Sequence, residues 1–181
     1  FVGTYLALTG KTLDSHNSVF AKIGTHLIEN NLVDECIKKI LNLKKYTKYD
    51  IDIILKEYDK KTEAYPSLEK ELLDISKHFN KKSITEIIKS LKAENSTWCK
   101  DQLNILEKKS PTSMGVATRQ LDISRSLNLK DCLSMEFRIC QAMMDRHDFY
   151  EGVRANLVDK DRDPKWKPIT VDLLEEKHID C

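Results

Sequence analysis

Apolar residues recur along this chain every three or four positions, and no clear alternation of period two appears anywhere. Leu32, Val33, Cys36, Ile37, Ile40 and Leu41 fall on one stripe if residues 31–44 are helical. Ile51, Ile54, Leu55 and Tyr58 form a shorter stripe behind Asp50, which is suited to cap it. Leu68, Leu72, Ile75 and Phe79 follow Pro66 and Ser67 at the same spacing. Ser83 and Glu86 form a capping box ahead of Ile84, Ile87, Ile88 and Leu91. Ser96 is placed to cap a helix with Cys99, Leu103 and Leu106 on its inner side. Ser110 followed by Pro111 starts another, which runs through Met114, Ala117 and Leu121. Asn128 with Asp131 opens the longest, with Leu133, Phe137, Cys140 and Met144 as its expected core stripe. Asp148 and Glu151 make one more cap-like start, with Gly152 just inside. The expected fold class is therefore all-α.

The opening FVGTYLALTG is different in kind. Phe1, Val2, Tyr5, Leu6, Ala7 and Leu8 leave little polar face for water, whereas chain ends are usually polar and frayed. The segment reads as part of something larger, with Tyr5, Leu6 and Leu8 expected to form an apolar face that this chain leaves uncovered.

Composition adds modest constraints. Five glycines and four prolines in 181 residues leave long uninterrupted segments. A net charge of +1 with 40% hydrophobic residues excludes both a disordered chain and a strongly basic nucleic-acid surface. Five widely spaced cysteines, Cys36, Cys99, Cys132, Cys140 and Cys181, without a C-x-x-C pair favour reduced thiols over a disulfide framework. No stretch approaches the roughly 20 apolar residues that span a bilayer, so no membrane partner is expected. The lysine-rich stretch from about 42 to 65 reads as a loop or boundary.

Few residues suggest chemistry by themselves. Asp159, Asp161 and Asp163 have the spacing that begins a calcium loop, but Pro164 and Thr170 stand where the loop needs glycine and glutamate, so the run reads as a solvated turn. His147, Asp148 and Glu151 read as structural, since sequence neighbours do not share a helix face. Cys132, Cys140, Met135, Met143 and Met144 read as core rather than soft-metal ligands, and no metal site is expected. The better candidate is the cationic loop Lys160, Arg162, Lys165 and Lys167 around Trp166, which has the charges and the ring to hold phosphates and stack on a base. Its alternative is a solvated loop anchored by Trp166.

Two longer segments carry a resemblance: SPTSMGVATRQL at 110–121 and SMEFRICQAMMDRHDFYEGVRANLVDKDRDPKWKP at 134–168. With LALTG and the Ala21–His26 turn, they resemble the C-terminal part of the 3-hydroxyisobutyryl-CoA hydrolases, a branch of the crotonase (enoyl-CoA hydratase/isomerase) superfamily. The resemblance implies the helical C-terminal region of such a protein, without the β/α crotonase core. It divides the chain into 1–28, the helix and turn that follow that core, 29–109, a helical insert-like region, and 110–181, which bears the signature. It also implies a mitochondrial enzyme of valine breakdown that cleaves 3-hydroxyisobutyryl-CoA, with coenzyme A as part of the substrate, no separate cofactor and self-association of subunits. In that family the oxyanion hole and the catalytic carboxylates precede LALTG, so no catalytic residue is carried onto this chain, and the chain alone is expected to be inactive. Lys160, Lys165, Trp166 and Lys167 are the residues through which coenzyme A would be bound. A non-catalytic helical component of the mitochondrial ribosome and an enoyl-CoA hydratase or isomerase are the alternatives.

Overall fold

A computed structural model of the chain describes residues 1–60 and 66–179; Cys181 and the end of the 42–65 stretch lie outside them. Among the described residues every regular element is helical. The elements are α1 (Val2–Thr9), α2 (Ser15–Phe20), α3 (Val33–Leu41), α4 (Lys48–Tyr58), α5 (Leu68–Phe79), α6 (Ile84–Ala93), α7 (Thr97–Leu106), α8 (Pro111–Ser124), α9 (Leu129–Met144) and α10 (His147–Val153). None of them is long and apolar enough to cross a membrane. Internal contacts divide the chain into two compact units, Thr12–Leu73 and Phe1–Lys11 with Asp74–Cys181, and the division falls inside α5.

The smaller unit is built on α3 and α4, which pack together around Cys36 and Ile54. Tyr58 donates its hydroxyl to Glu35 at 2.9 Å, and Lys39 pairs with Glu57 across the same two helices. The buried Asn17 of α2 accepts the Leu68 N–H at 2.9 Å and donates to Ser67 Oγ at 3.1 Å. Asp50 does not cap α4. The cap is Thr47, and Asp50, one turn in, accepts the Thr47 N–H at 2.8 Å in a reciprocal box. These hydrogen bonds lower the Asp50 pKa. Helix α4 thus occupies part of the stretch that composition marks as a loop.

The larger unit places α1 against α7 and α8. Here the expectation for FVGTYLALTG fails: Tyr5 and Leu8 are buried, 1% and 3% exposed, by helices of this same chain. Tyr5 meets Phe79 edge-on at 5.0 Å and stacks near Trp98 at 6.1 Å. Burial of each large side chain contributes roughly 1.5–3 kcal/mol, so α1 is part of this core rather than an appendage to it. Gly10 ends α1 in the left-handed conformation, φ 71°, with its N–H returned to the Leu6 carbonyl. The core continues through Ile75, Phe79, Ile84, Ile87, Leu91, Leu106 and Met114, and the caps at Ser83, Ser96, Ser110 and Asn128 form as their positions predict.

Helix α9 departs most from expectation. Its stripe Leu133, Phe137, Cys140 and Met144 is not core: Phe137 is 65% exposed, Leu133 56%, and Cys140 is exposed as well. The half-buried side is the neighbouring stripe of Cys132, Met135, Ile139 and Met143, of which Met135 and Ile139 face Val116 and Ile123 of α8. The helix is apolar on two sides, so periodicity located a stripe without indicating which side this chain covers.

Candidate functional site

The segment from α10 to Pro168 is organised around one arginine. Helix α10 continues into a π-helical turn, Arg154–Val158, which turns the Arg154 side chain toward the following loop. Its guanidinium donates two parallel hydrogen bonds to Glu151, at 3.0 and 2.8 Å, and two more from Nη1 to Asp159 at 2.7 Å and Asp161 at 2.6 Å. Planar bidentate pairing of this kind fixes direction as well as distance. Asp159 and Asp161 are therefore ordered by Arg154 rather than forming a merely solvated turn. The Arg154 guanidinium, followed by the Lys165 N–H that Glu151 also accepts at 2.7 Å, depresses the Glu151 pKa from 4.5 to about 2. The same carboxylates raise the Arg154 pKa, and the Asp163 N–H, followed by Arg154, lowers that of Asp161.

A second carboxylate holds the far end of the loop. Asp148 does not cap α10, whose cap position is Arg146 and makes no side-chain cap bond. Asp148 is instead buried at 5% exposure, where it accepts the Ser110 hydroxyl at 2.5 Å and the Lys167 N–H at 2.8 Å, with His147 Nδ1 at 3.1 Å. Ser110 meanwhile caps α8 through the Ser113 N–H. The carboxylate thus links the start of α8, the first turn of α10 and the Lys167 backbone.

Trp166 lies between these two points. Its indole N–H donates to the Lys108 carbonyl at 3.1 Å, and its ring lies so near Gly152 that an added Cβ there would stand 3.4 Å away. The ring is a half-buried anchor. Lys160 and Arg162 take positive φ, 58° and 56°, and the Arg162 N–H is fixed to the Ala155 carbonyl at 3.0 Å. Lys165 pairs with Asp163, whereas the exposed side chains of Lys160 and Lys167 make no ion pair among the described residues.

Lys167 also lines a cavity of about 420 Å³ with Thr112, Arg146, His147, Asp148, Lys177 and His178. Arg146 donates to the His178 carbonyl, and Lys177 pairs with Glu175 at 2.7 Å. Three cations and two imidazoles around one buried, fully hydrogen-bonded carboxylate make this basin suited to an anion. Sequence reasoning missed Arg146, at the start of α10, and Lys177 and His178, which the return of the chain after Pro168 brings to it; none of the three carries a motif of its own.

A family model described as enoyl-CoA hydratase/isomerase matches residues 1–181. The chain belongs to the enoyl-CoA hydratase/isomerase family. Within this family it is 38% identical over 183 residues to the mitochondrial 3-hydroxyisobutyryl-CoA hydrolase of Xenopus laevis, covering 99% of this chain and 48% of that protein. The protein of that name from Dictyostelium discoideum is 40% identical over 177 residues, 96% of this chain and 46% of its own, and the Homo sapiens protein 36% over 182, 98% and 47%. The chain spans about half the length of these curated relatives. Among solved structures, a carnitinyl-CoA dehydratase from Mycobacterium thermoresistibile superposes with a TM-score of 0.82 at 22% identity, covering 98% of this chain and 49% of that one. An enoyl-CoA hydratase from Rhodobacter sphaeroides gives 0.77 at 21%, covering 98% and 50%. At such identities the two structures establish a shared fold for this family member, whose regular elements are all helical among its described residues.

Proposed function

We infer that this chain is the helical half of an acyl-CoA thioester hydrolase that cleaves 3-hydroxyisobutyryl-CoA to the free acid and coenzyme A. The observation that carries the reading is identity of 36–40% to hydrolases of that name along almost the whole chain. The reaction needs no cofactor, coenzyme A entering as part of the substrate, and the protein works in mitochondria, as the names of its relatives say of them. Transition-state stabilisation comes from groups outside these residues, and the 181-residue chain has no thioesterase activity alone. A single oxyanion-hole donor is worth roughly 2.7–4 kcal/mol, so a chain without that hole lacks a main source of rate.

The contribution of this half is to bind and to close. Lys160, Lys165 and Lys167 supply cations to the phosphates of coenzyme A, and Trp166 holds the loop that presents them. Arg154 and Asp148 act as positioning residues, since Arg154 holds the Glu151 carboxylate that accepts the Lys165 N–H, and Asp148 accepts the Lys167 N–H. The exposed stripe Leu129, Leu133 and Phe137 on α9 seats against another subunit or another part of the full-length protein.

The test uses the full-length protein with Lys165→Ala and Lys167→Ala. Loss of phosphate contacts made equally in ground and transition states raises KM for the acyl-CoA more than it lowers kcat. An unchanged KM would return the loop to a purely structural role. Comparing thiol release from 3-hydroxyisobutyryl-CoA with loss of enoyl absorbance from crotonyl-CoA separates hydrolase from hydratase.

A further inference from the structure

Where α5, α6 and α7 meet, three side chains of different chemistry converge. His78, in the last turn of α5, is 1% exposed; Cys99, in the first turn of α7, is 0% exposed; Glu94 ends α6 at the surface. His78 Nε2 stands 3.1 Å from a Glu94 carboxylate oxygen and 3.5 Å from Cys99 Sγ, and the three atoms all lie within 4.8 Å of one another. The other ring nitrogen, Nδ1, is 2.9 Å from Ser90 Oγ.

The same Glu94 oxygen also pairs with Lys77, so the carboxylate oxygen, the thiol sulfur and Nε2 converge on one point from three helices, and a metal cation there would take the place of the Lys77 ammonium as the carboxylate's partner.

We propose that His78, Glu94 and Cys99 form a zinc site. Zinc takes nitrogen at about 2.0–2.1 Å, sulfur at about 2.3 Å and carboxylate oxygen at about 2.0–2.2 Å in a tetrahedron, which separates nitrogen from sulfur by about 3.6 Å and from oxygen by about 3.3 Å. The observed 3.5 and 3.1 Å differ from these by a few tenths of an ångström. The donor set, one thiolate, one imidazole and one carboxylate, suits zinc rather than magnesium or calcium, which require oxygen. Ser90 occupies the outer position that fixes a ligating imidazole, leaving Nε2 free for the metal when Nδ1 donates to it. Binding displaces the Cys99 thiol proton to the buffer, and the two anionic ligands neutralise the ion. A water on the exposed side of Glu94 fills the fourth position. The ion ties the end of α5 to the α6–α7 turn, and so serves the fold rather than the hydrolysis.

Cobalt substitution tests this in the full chain. Cobalt is expected to give the visible bands of a tetrahedral ion and a near-ultraviolet thiolate charge-transfer band, both abolished by one equivalent of zinc. Cys99→Ser removes the charge-transfer band, and Glu94→Gln, a half-exposed change that leaves packing intact, lowers zinc affinity by more than about 100-fold, the upper end of what an outer-shell loss costs. Ser90→Ala lowers it by about 10–100-fold. Absence of the thiolate band in the unmodified protein, its survival in Cys99→Ser, or an unchanged zinc affinity in Glu94→Gln would each overturn the proposal.

Discussion

Removing the Asp148 carboxylate tests how the loop is held. Asp148 accepts two strong hydrogen bonds at a site 5% exposed, one from the Ser110 hydroxyl and one from the Lys167 N–H. Hydrogen bonds to a charged group contribute about 1.5–3 kcal/mol each, so Asp148→Ala forfeits roughly 3–6 kcal/mol, part of which is offset because a carboxylate no longer has to be desolvated. The expected net loss is about 2–4 kcal/mol. Asp148→Asn keeps the shape and can still accept the Lys167 N–H while Ser110 rotates to accept, so its loss should stay near 1–2 kcal/mol, roughly that of ordinary neutral hydrogen bonds. Ser110→Ala costs about 1 kcal/mol as a lost cap and also leaves one carboxylate oxygen without its donor. Since the two residues share one bond, the double variant should be less destabilised than the sum of the singles, by roughly 0.5–3 kcal/mol. Urea denaturation of the unmodified chain and the four variants, followed by helical dichroism, gives these numbers. Additive singles, or an Asp148→Ala loss below about 0.5 kcal/mol, typical of a surface substitution, would show that this carboxylate does not hold the loop.

Three further outcomes follow from the same structure. Glu151 has a folded pKa near 2 against an ordinary 4.5, so its contribution to loop stability is full above about pH 4.5 and is lost as pH falls toward 2; carbon NMR of the Glu151 carboxyl should show that low midpoint, and a midpoint near 4.5 would contradict the Arg154 clamp. Replacing Leu133 and Phe137 by serine should change the helical stability of the chain by no more than about 0.5 kcal/mol each, because both are exposed, yet weaken association measured by analytical ultracentrifugation. Loss of helicity with unchanged association would show that the α9 stripe is core after all. In the full-length enzyme, Arg154→Ala should raise KM for the acyl-CoA as Lys167→Ala does, and an effect on kcat alone would remove the loop from substrate binding.

Local signals made the helices legible. Each of Ser83, Ser96, Ser110 and Asn128 stands ahead of an apolar stripe, and a side-chain cap depends only on neighbours three residues away. Asp50 and Asp148 were misread as caps for the same local reason, since a carboxylate near a helix start has several donors within reach. Thr47 lies one turn ahead of Asp50, and for Asp148 the donors came from 38 residues upstream and 19 downstream. The outward side of α9 and the inward side of α1 were illegible because periodicity reports that a stripe exists, whereas its cover is a tertiary fact. In the loop, Lys160 to Lys167 can be found from charge and the tryptophan, whereas Arg154 carries no local signal, because its acceptors Asp159 and Asp161 lie in the loop that follows its helical turn. His78, Glu94 and Cys99 have no motif at all, the first and last being 21 positions apart and on different helices.

Thiol release from 3-hydroxyisobutyryl-CoA, measured with the full-length protein and, separately, with this 181-residue chain, decides whether the helical half carries chemistry of its own. Steady turnover is expected from the full-length protein and none above the uncatalysed rate from the chain alone. Turnover by the chain alone, or a full-length protein that hydrates crotonyl-CoA and leaves the 3-hydroxyisobutyryl thioester intact, would contradict the proposed function.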